Sequence, residues 1–382
     1  MTTGTQLFIG LMSGTSLDGV DAALVELGIQ PGGPIRLLGT AYARFPADLR
    51  DELLDLHTDG PAELHRAASA SNRLAHCYAS AVRDLLKEAA TAADRIVAIG
   101  CHGQTVRHRP DAGYTVQLNN AALLAELTGI TVVHDFRSRD IAAGGQGAPL
   151  VPAFHAANFH DEKRHRVIVN IGGIANVTAL PADTSAKIAG FDTGPGNLLL
   201  DTWARRHLQS DHDAGGRFAA TGRVHEGLLA GFLADAYFGA TPPKSTGRDH
   251  FNAAWLDSHV NRIAESAGQR PDNADVQATL AELTARSIAE AIQRWCPGTQ
   301  EAYACGGGAH NADLMVRLQA ALATGSPPVS LASTESLCMH PDWVEAMAFA
   351  WLAQQAIGRR PANLPAVTGA RGLRVLGSIH YA

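Results

Sequence analysis

Apolar and polar positions along this chain fall into blocks whose period switches from two to about three and a half and back. Leu7 to Met12 is a short apolar run that stops at Ser13-Gly14-Thr15-Ser16. After this polar turn, Val20 to Leu27 is apolar again, and Ile35 to Phe45 reads as a third strand. Three short strands joined by brief turns predict an antiparallel meander. Helical spacing follows over Asp48–His57 and Glu63–Ala92; in the second, Leu64, Ala67, Leu74, Ala75, Tyr78, Val82, Leu85 and Leu86 form one apolar face. Arg95 to Gly100 reads as a buried strand, Ala121–Thr128 as a helix and Ile130–Asp135 as a strand.

The same opening returns in mid-chain. Val167 to Ile171 leads into Gly172-Gly173, then Ile174–Leu180, then Lys187–Asp192. Helical stretches follow at Asn197–His207, His225–Ala236 and Asp275–Trp295, with a strand at Glu301–Cys305 and helices at Asn311–Ala323 and Pro341–Ala356. Two α/β halves, each opening on a glycine-turned meander, predict a duplicated two-domain fold with a cleft between the halves. The glycine-rich stretch Ala142 to Gly147 is the expected hinge.

Composition narrows the class. The chain has 382 residues, enough for two or three domains, and 46% are hydrophobic, so it buries a large core without disulfides or metals. The net charge of -6 weighs against a nucleic-acid partner. The first residues lack a basic, apolar leader, and no run approaches the ~20 apolar residues of a membrane span. Five widely spaced cysteines (77, 101, 296, 305 and 338) suggest neither a disulfide framework nor zinc. The expectation is a soluble, reduced, cytoplasmic protein.

Five segments carry candidate chemistry. Ser13 to Asp21 follows a strand directly; its small and hydroxylated residues suit an anion, and Asp18 suits a metal or its waters, although a plain hairpin turn explains the pattern equally. In Gly190 to Asn197 a strand reaches Asp192 and then a Gly-Pro-Gly turn, which suits a general base; a helix-capping aspartate is the plainer alternative. Cys305-Gly306-Gly307-Gly308 allows close backbone approach to a nucleotide, or is only a tight strand-to-helix turn. His102 and Gln104, also after a strand, suit a substrate or a water, and Cys101 has no evident base partner. Asp135 to Asp140 pairs charges that suit either a bound carboxylate or an interdomain ion pair. Lys244-Ser245-Thr246 lacks the glycine that a phosphate-binding P-loop places before its lysine, and metalloprotease, serine-hydrolase and dinucleotide motifs are missing.

Taken in order, these segments resemble the anhydro-N-acetylmuramic acid kinase family. The matching pieces are Phe8 to Asp21, His102-Gly103-Gln104-Thr105, Asp135-Phe136-Arg137, Ala142 to Leu150, Asn170 to Asn176, Gly190 to Asn197, Cys305 to Gly308 and Glu345-Ala346. Each is weak alone; all of them in one order, across essentially the whole chain, are specific. Two positions depart from the family pattern. Asn119-Asn120 stands where a glycine and then Asp or Asn is usual, and His134 replaces a small residue before Asp135.

The resemblance implies the actin-like, sugar-kinase fold: two ribonuclease-H-like domains around an active-site cleft. The expected boundaries are 1–135 plus 360–382 for the first domain and 136–359 for the second. It implies that ATP and water convert 1,6-anhydro-N-acetylmuramic acid into N-acetylmuramic acid 6-phosphate and ADP, in peptidoglycan recycling. Asp192 is then the catalytic base. Ser13, Gly14, Thr15, Ser16, Leu17, Asp18, Gly19, Val20, Gly172, Gly173, Gly194, Gly306, Gly307 and Gly308 attend ATP. His102, Gln104, Arg137, Asn197 and Glu345 attend the sugar, Arg137 through its lactyl carboxylate, and Asp18 attends Mg2+. A homodimer is expected, with no nucleic-acid or membrane partner. The alternatives are another actin-like sugar kinase, or a sugar- or nucleotide-binding protein without catalysis.

Overall fold

A computed structural model describes residues 4–14, 17–30 and 32–382, so the expected ATP contacts Thr15 and Ser16 lie outside the described residues. The chain divides into two units, Met1–Asn158 with Trp343–Ala382, and Phe159–Asp342. The first runs β1 (Thr5–Met12), β2 (Gly19–Gly28), β3 (Ile35–Arg44), α1 (Ala47–Asp55), α2 (Glu63–Glu88), β4 (Ile96–Cys101), β5 (Gln104–Arg109), β6 (Tyr114–Leu118), α3 (Ala121–Thr128), β7 (Val132–His134), α4 (Ser138–Ala142) and α5 (Val151–Phe159). The second runs β8 (Arg166–Ile171), β9 (Ile174–Leu180), β10 (Ala189–Pro195), α6 (Leu198–His207), α7 (Glu226–Leu233), α8 (Ala236–Gly239), α9 (Ala253–Ala267), α10 (Asn273–Trp295), β11 (Glu301–Cys305), α11 (Ala312–Ala323) and β12 (Ser330–Ser333). The chain then returns to the first unit with α12 (Val344–Ile357), α13 (Pro365–Thr368) and β13 (Ser378–His380).

The two sheets share one topology. The first is ordered β13-β7-β4-β1-β2-β3 and the second β10-β9-β8-β11-β12. In each, the first three strands form the expected antiparallel meander, and the next two join parallel on the far side of the first. Within these five strands only the second opposes the others, which is the ribonuclease-H-like arrangement, present twice; in the first sheet β13 is added antiparallel to the edge at β7. Among the described residues no helix is long and apolar enough to cross a membrane.

Period-two alternation decides what each face of the first sheet meets. Ile9, Leu11 and Ile99 point into a core shared with Leu74, Tyr78, Val82 and Leu85 of α2. Gly10 and Gly100 point the other way, toward α12. A Cβ on Gly10 would lie 1.7 Å from the Ala346 carbonyl oxygen, and one on Gly100 would lie 2.0 Å from that of Phe349. Strand and helix backbones touch there, and α12 is buried almost all round, as an apolar helix with no polar stripe must be.

This contact explains why the units divide at 158 and 342 rather than at the expected 135 and 359. The segment after Trp343 belongs with β1 and β4. Residues after 135 stay with the first unit through Asp140, fully buried, which accepts from the Gly147 amide, Asn363 Nδ2 and Thr368 Oγ1 at 2.9, 2.8 and 2.8 Å. That carboxylate anchors the Ala142–Gly147 stretch inside the first unit, and a Cβ on Gly145 would meet it at 2.2 Å.

Several predicted elements differ in detail. The helix from Glu63 ends at Glu88, ahead of Ala90 at positive φ, and Leu64 in its first turn is 90% exposed rather than on the apolar face. The single helix expected over His225–Ala236 is two, because Asp235 takes an extended conformation and caps α8 through the Tyr237 amide. The β5–β6 hairpin, α9 and the edge strands β12 and β13 have no counterpart in the sequence reading. The strands among them are too polar or too short to stand out: β5 carries Arg107, His108 and Arg109, and β12 has four residues.

Candidate active site

The expected residues fall into two groups, one in each unit. In the first unit, Ser13 directly follows β1, and its side chain is buried. Its hydroxyl donates to the Gly103 carbonyl at 3.0 Å and therefore accepts from the Tyr78 hydroxyl at 2.9 Å. That hydrogen is thus spent inside the protein rather than offered to an anion. Gly14 gives its carbonyl to Gln104 Nε2 at 3.2 Å and to the Leu17 amide at 3.3 Å. Leu17 and Val20 are fully buried, and Gly19 is required by β3, since a Cβ there would lie 2.5 Å from the Ala43 carbonyl. Asp18 is exposed. Its charge and that of Asp21, acting after partial burial, push the Tyr42 phenol up to about 12.

His102, Gln104 and Arg137 gather as one cluster. Arg137 donates Nε–H and Nη2–H to His102 Nε2 at 3.2 and 2.9 Å, and Nη1–H to the Gly147 carbonyl at 2.8 Å. Burial, and then the Arg137 charge, lower the His102 pKa to about 3. The ring is therefore neutral, accepts at Nε2 and carries its hydrogen on Nδ1. Nδ1 and the Gln104 Oε1 are both buried and have no partner among the described residues. One donor and one acceptor are thus left for a ligand. Phe349 of α12 packs on the His102 ring at 4.8 Å between centroids, and Glu345 lies one turn earlier on the same helix face.

His155, also fully buried, has its pKa lowered by burial to about 3. Below about pH 6.5 the unfolded chain binds protons at His102 and His155 that the folded chain refuses, so stability is lost as pH falls toward about 3. Each contributes up to about 2 kcal/mol of that loss by pH 5. A melting series from pH 7.5 to 5 is expected to slope downward, and His155→Leu is expected to flatten it; an unchanged slope contradicts the assignment.

The neighbouring residues resolve other readings. Cys101 is buried and its thiol is pushed up to about 12, which makes it no nucleophile. Asn120 has φ -98° and caps α3 by accepting from the Leu123 amide at 3.0 Å, and Asn119 is not at positive φ either. Asn120 therefore serves a helix start, and neither residue makes a left-handed turn.

In the second unit, the glycines meet at the end of β8. The amides of Gly196 and Leu198 donate to the Gly173 carbonyl at 2.9 and 3.0 Å, and that of Asn197 to Gly172 at 2.8 Å. Asn197 Nδ2 holds the Ile171 carbonyl at 3.0 Å. The β8–β9 turn thus satisfies the amides that lead into α6 and the first one of the helix. Gly306 (φ 79°) and Gly308 press on the same spot: a Cβ on Gly306 would lie 2.5 Å from Asn170 Oδ1, and one on Gly308 2.2 Å from Ile171 Cγ2. Gly307 lies nearest Asn197 Nδ2. Gly194 stands apart; a Cβ there would meet the Phe238 ring at 2.7 Å, so its need is packing.

Asp192 is not at a strand end as the sequence suggested. β10 runs on to Pro195, and its pairing with β9 slips between Asp192 and Gly194. A bulge of this kind re-aims the side chain at its edge. The first amide of α6, that of Leu198, goes to the Gly173 carbonyl. Asp192 is gripped instead by Tyr237 and the Lys244–Thr246 segment. Its amide donates to the Lys244 carbonyl at 3.1 Å, its carbonyl accepts the Tyr237 hydroxyl at 2.7 Å, and its Oδ2 accepts the Thr246 amide at 3.0 Å. Burial, and then the Asp192 charge, drive the Tyr237 phenol far up. Lys244 Nζ donates to the Tyr237 carbonyl at 3.0 Å; burial lowers its pKa, and the Asp192 charge opposes that. The one signal for this grip was the run of Lys244, Ser245, Thr246 and Gly247, polar and small between two aromatic stretches.

Chemically, the first unit offers a neutral donor, an acceptor and a guanidinium, and the second offers a fixed carboxylate and a glycine-lined backbone turn. The model of one family, described as anhydro-N-acetylmuramic acid kinase, matches residues 6–382. Relatives bearing that name come from Thiobacillus denitrificans (55% identical over 98% of this chain and 97% of its own), Bordetella petrii (53%, over 100% and 98%) and Nitrosomonas europaea (51%, over 98% and 99%).

Proposed function

Because the chain belongs to the anhydro-N-acetylmuramic acid kinase family, we propose that it uses ATP and water to convert 1,6-anhydro-N-acetylmuramic acid into N-acetylmuramic acid 6-phosphate, with Asp192 as general base. It is a phosphotransferase, and its activity belongs to the recycling of cell-wall sugar. Family membership over the whole length does not favour a different sugar or a binding protein without catalysis. The observation that carries the base assignment is the grip on Asp192: main chain and carboxylate are both fixed at a β-bulge. A base held in this way loses little in orientation when it acts.

In the reaction the Asp192 carboxylate takes a proton from water, whose oxygen bonds to C1 of the sugar. The C1–O6 bond breaks and its electron pair goes to O6. O6 bonds to the γ-phosphorus, and the bond from that phosphorus to the β–γ bridging oxygen breaks to release ADP. His102 Nδ1–H and Gln104 Oε1 supply a donor and an acceptor to the polar groups of the sugar, Arg137 supplies charge for the lactyl carboxylate, and Glu345 stands by them on α12. Gly172, Gly173, Gly306, Gly307 and Gly308 let the nucleotide approach the backbone at the end of β8, beside Asn197.

The residues fit Mg2+ carried chiefly by the nucleotide. Among the described residues no three His, Cys, Asp or Glu side chains form a cage. Magnesium keeps its waters and phosphate oxygens and asks the protein for one or two carboxylates. Asp18, with Asp21 acting on the same phenol, supplies these. When bound, the ion neutralises phosphate charge. Its use of ATP points to the cytoplasm as the compartment of the reaction.

Gly306→Ala tests the nucleotide assignment. Its positive φ and its contact with Asn170 and Ile171 leave no room for a methyl group. KM for ATP is expected to rise about tenfold, or ~1.4 kcal/mol, with KM for the sugar little changed. An unchanged KM for ATP removes this turn from the nucleotide.

A further inference from the structure

One polar group beside Asp192 has no role in the steps above. Thr246 donates its amide to Asp192 Oδ2 at 3.0 Å, which fixes the residue against the carboxylate. Its hydroxyl Oγ1 is buried and has no hydrogen-bond partner among the described residues. A buried hydroxyl without a partner costs about 1–3 kcal/mol, and such groups are rare unless a ligand or water completes them. The surroundings do not complete it: Tyr237 spends its hydroxyl on the Asp192 carbonyl, and Lys244 points its ammonium at the Tyr237 carbonyl.

We propose that Thr246 is a second catalytic residue, whose Oγ1 holds the water that Asp192 deprotonates. The inference rests on Asp192 being the base. Water has two hydrogens. Asp192 takes one as the oxygen bonds to C1, and Thr246 Oγ1 accepts a hydrogen bond from the other, which stays on the product hydroxyl. With both hydrogens directed, a lone pair of the water points at the carbon. The same residue thus orients the base through its backbone amide and the nucleophile through its side chain.

Thr246→Val removes the hydroxyl, keeps the size and keeps the amide that holds Asp192. Thr246→Ser keeps both hydroxyl and amide. The measurement is steady-state kinetics on the full chain with Mg-ATP and 1,6-anhydro-N-acetylmuramic acid, alongside melting temperature and ATP affinity. Thr246→Val is expected to lower kcat by 10- to 100-fold with KM for ATP unchanged, and Thr246→Ser to restore most of it. A folded Thr246→Val enzyme with kcat within twofold of the parent overturns the proposal. So does a folded Thr246→Ser enzyme as slow as Thr246→Val. Should Thr246→Val fail to fold, Thr246→Ala takes its place in the comparison with serine. Asp192→Asn measured in parallel separates the two assignments: an inactive Asp192→Asn beside a normal Thr246→Val removes Thr246 alone, and an active Asp192→Asn removes the base itself.

Discussion

Asp192→Asn lowers kcat by about a thousandfold or more while leaving ATP affinity near that of the parent. Asparagine has the same shape. Its side-chain oxygen still accepts from the Thr246 amide, and the backbone bonds to Lys244 and Tyr237 do not involve the side chain at all. The grip therefore survives, and the fold with it. What disappears is the negative charge and the site for a proton. Water is a poor nucleophile without a base, and the anhydro bridge opens only if water gives up a proton as it bonds to carbon. Calorimetry with a non-hydrolysable ATP analogue checks the binding, and ADP release checks the turnover. Turnover within tenfold of the parent takes the base role from Asp192.

Gly10→Ala abolishes stable folding, a larger effect than a single methyl group usually produces. The added carbon would sit 1.7 Å from the Ala346 carbonyl and 2.8 Å from the Ala350 amide nitrogen. Both are backbone atoms of α12, so no side chain can swing aside and the helix itself has to move. Gly100 presses on the same helix at Phe349, which prevents a simple tilt. Overpacking ordinarily costs about 1–3 kcal/mol by forcing side chains off their rotamers; a clash between two backbones exceeds that. Against a total stability of about 5–15 kcal/mol, most of the margin is lost. Gly239→Ala is the control, since nothing lies within 4 Å of a Cβ there; it is expected to change stability by less than about 0.5 kcal/mol. Urea unfolding of both variants decides the point, and a Gly10→Ala protein as stable as the control contradicts the close approach of α12.

The contrast between Asp192 and Gly10 shows what the sequence could and could not disclose. Both meanders were legible because period-two apolar runs broken by Ser-Gly or Gly-Gly leave few other structures, and the shared strand order followed from reading the halves as a repeat. Asp192 was legible as a candidate because glycines crowd it. Its bulge was not, since a slipped ladder leaves no mark on the hydrophobic pattern. Gly10 read as one more member of an apolar run; only the helix arriving from position 346 gives it meaning, and a contact across more than three hundred residues has no local signature. The same holds for Thr246 and Tyr237, which reach Asp192 through folding of the chain and not through spacing. His102 and Arg137 were each singled out, yet their hydrogen bonds, and the neutral ring that results, depend on burial. Ser13 shows the reverse case: the sequence leaves its hydroxyl open, and only the fold brings Tyr78 and Gly103 to it.

Hydrolytic phosphorylation by this protein is tested by a coupled ADP-release assay with Mg-ATP, with and without 1,6-anhydro-N-acetylmuramic acid, in which the sugar product is weighed by mass spectrometry. Sugar-dependent ADP release is expected, with a product heavier than the substrate by one water and one phosphoryl group, both lost in Asp192→Asn. A product that gains the phosphoryl group without the water, or no sugar-dependent ADP from the folded protein, contradicts this reaction.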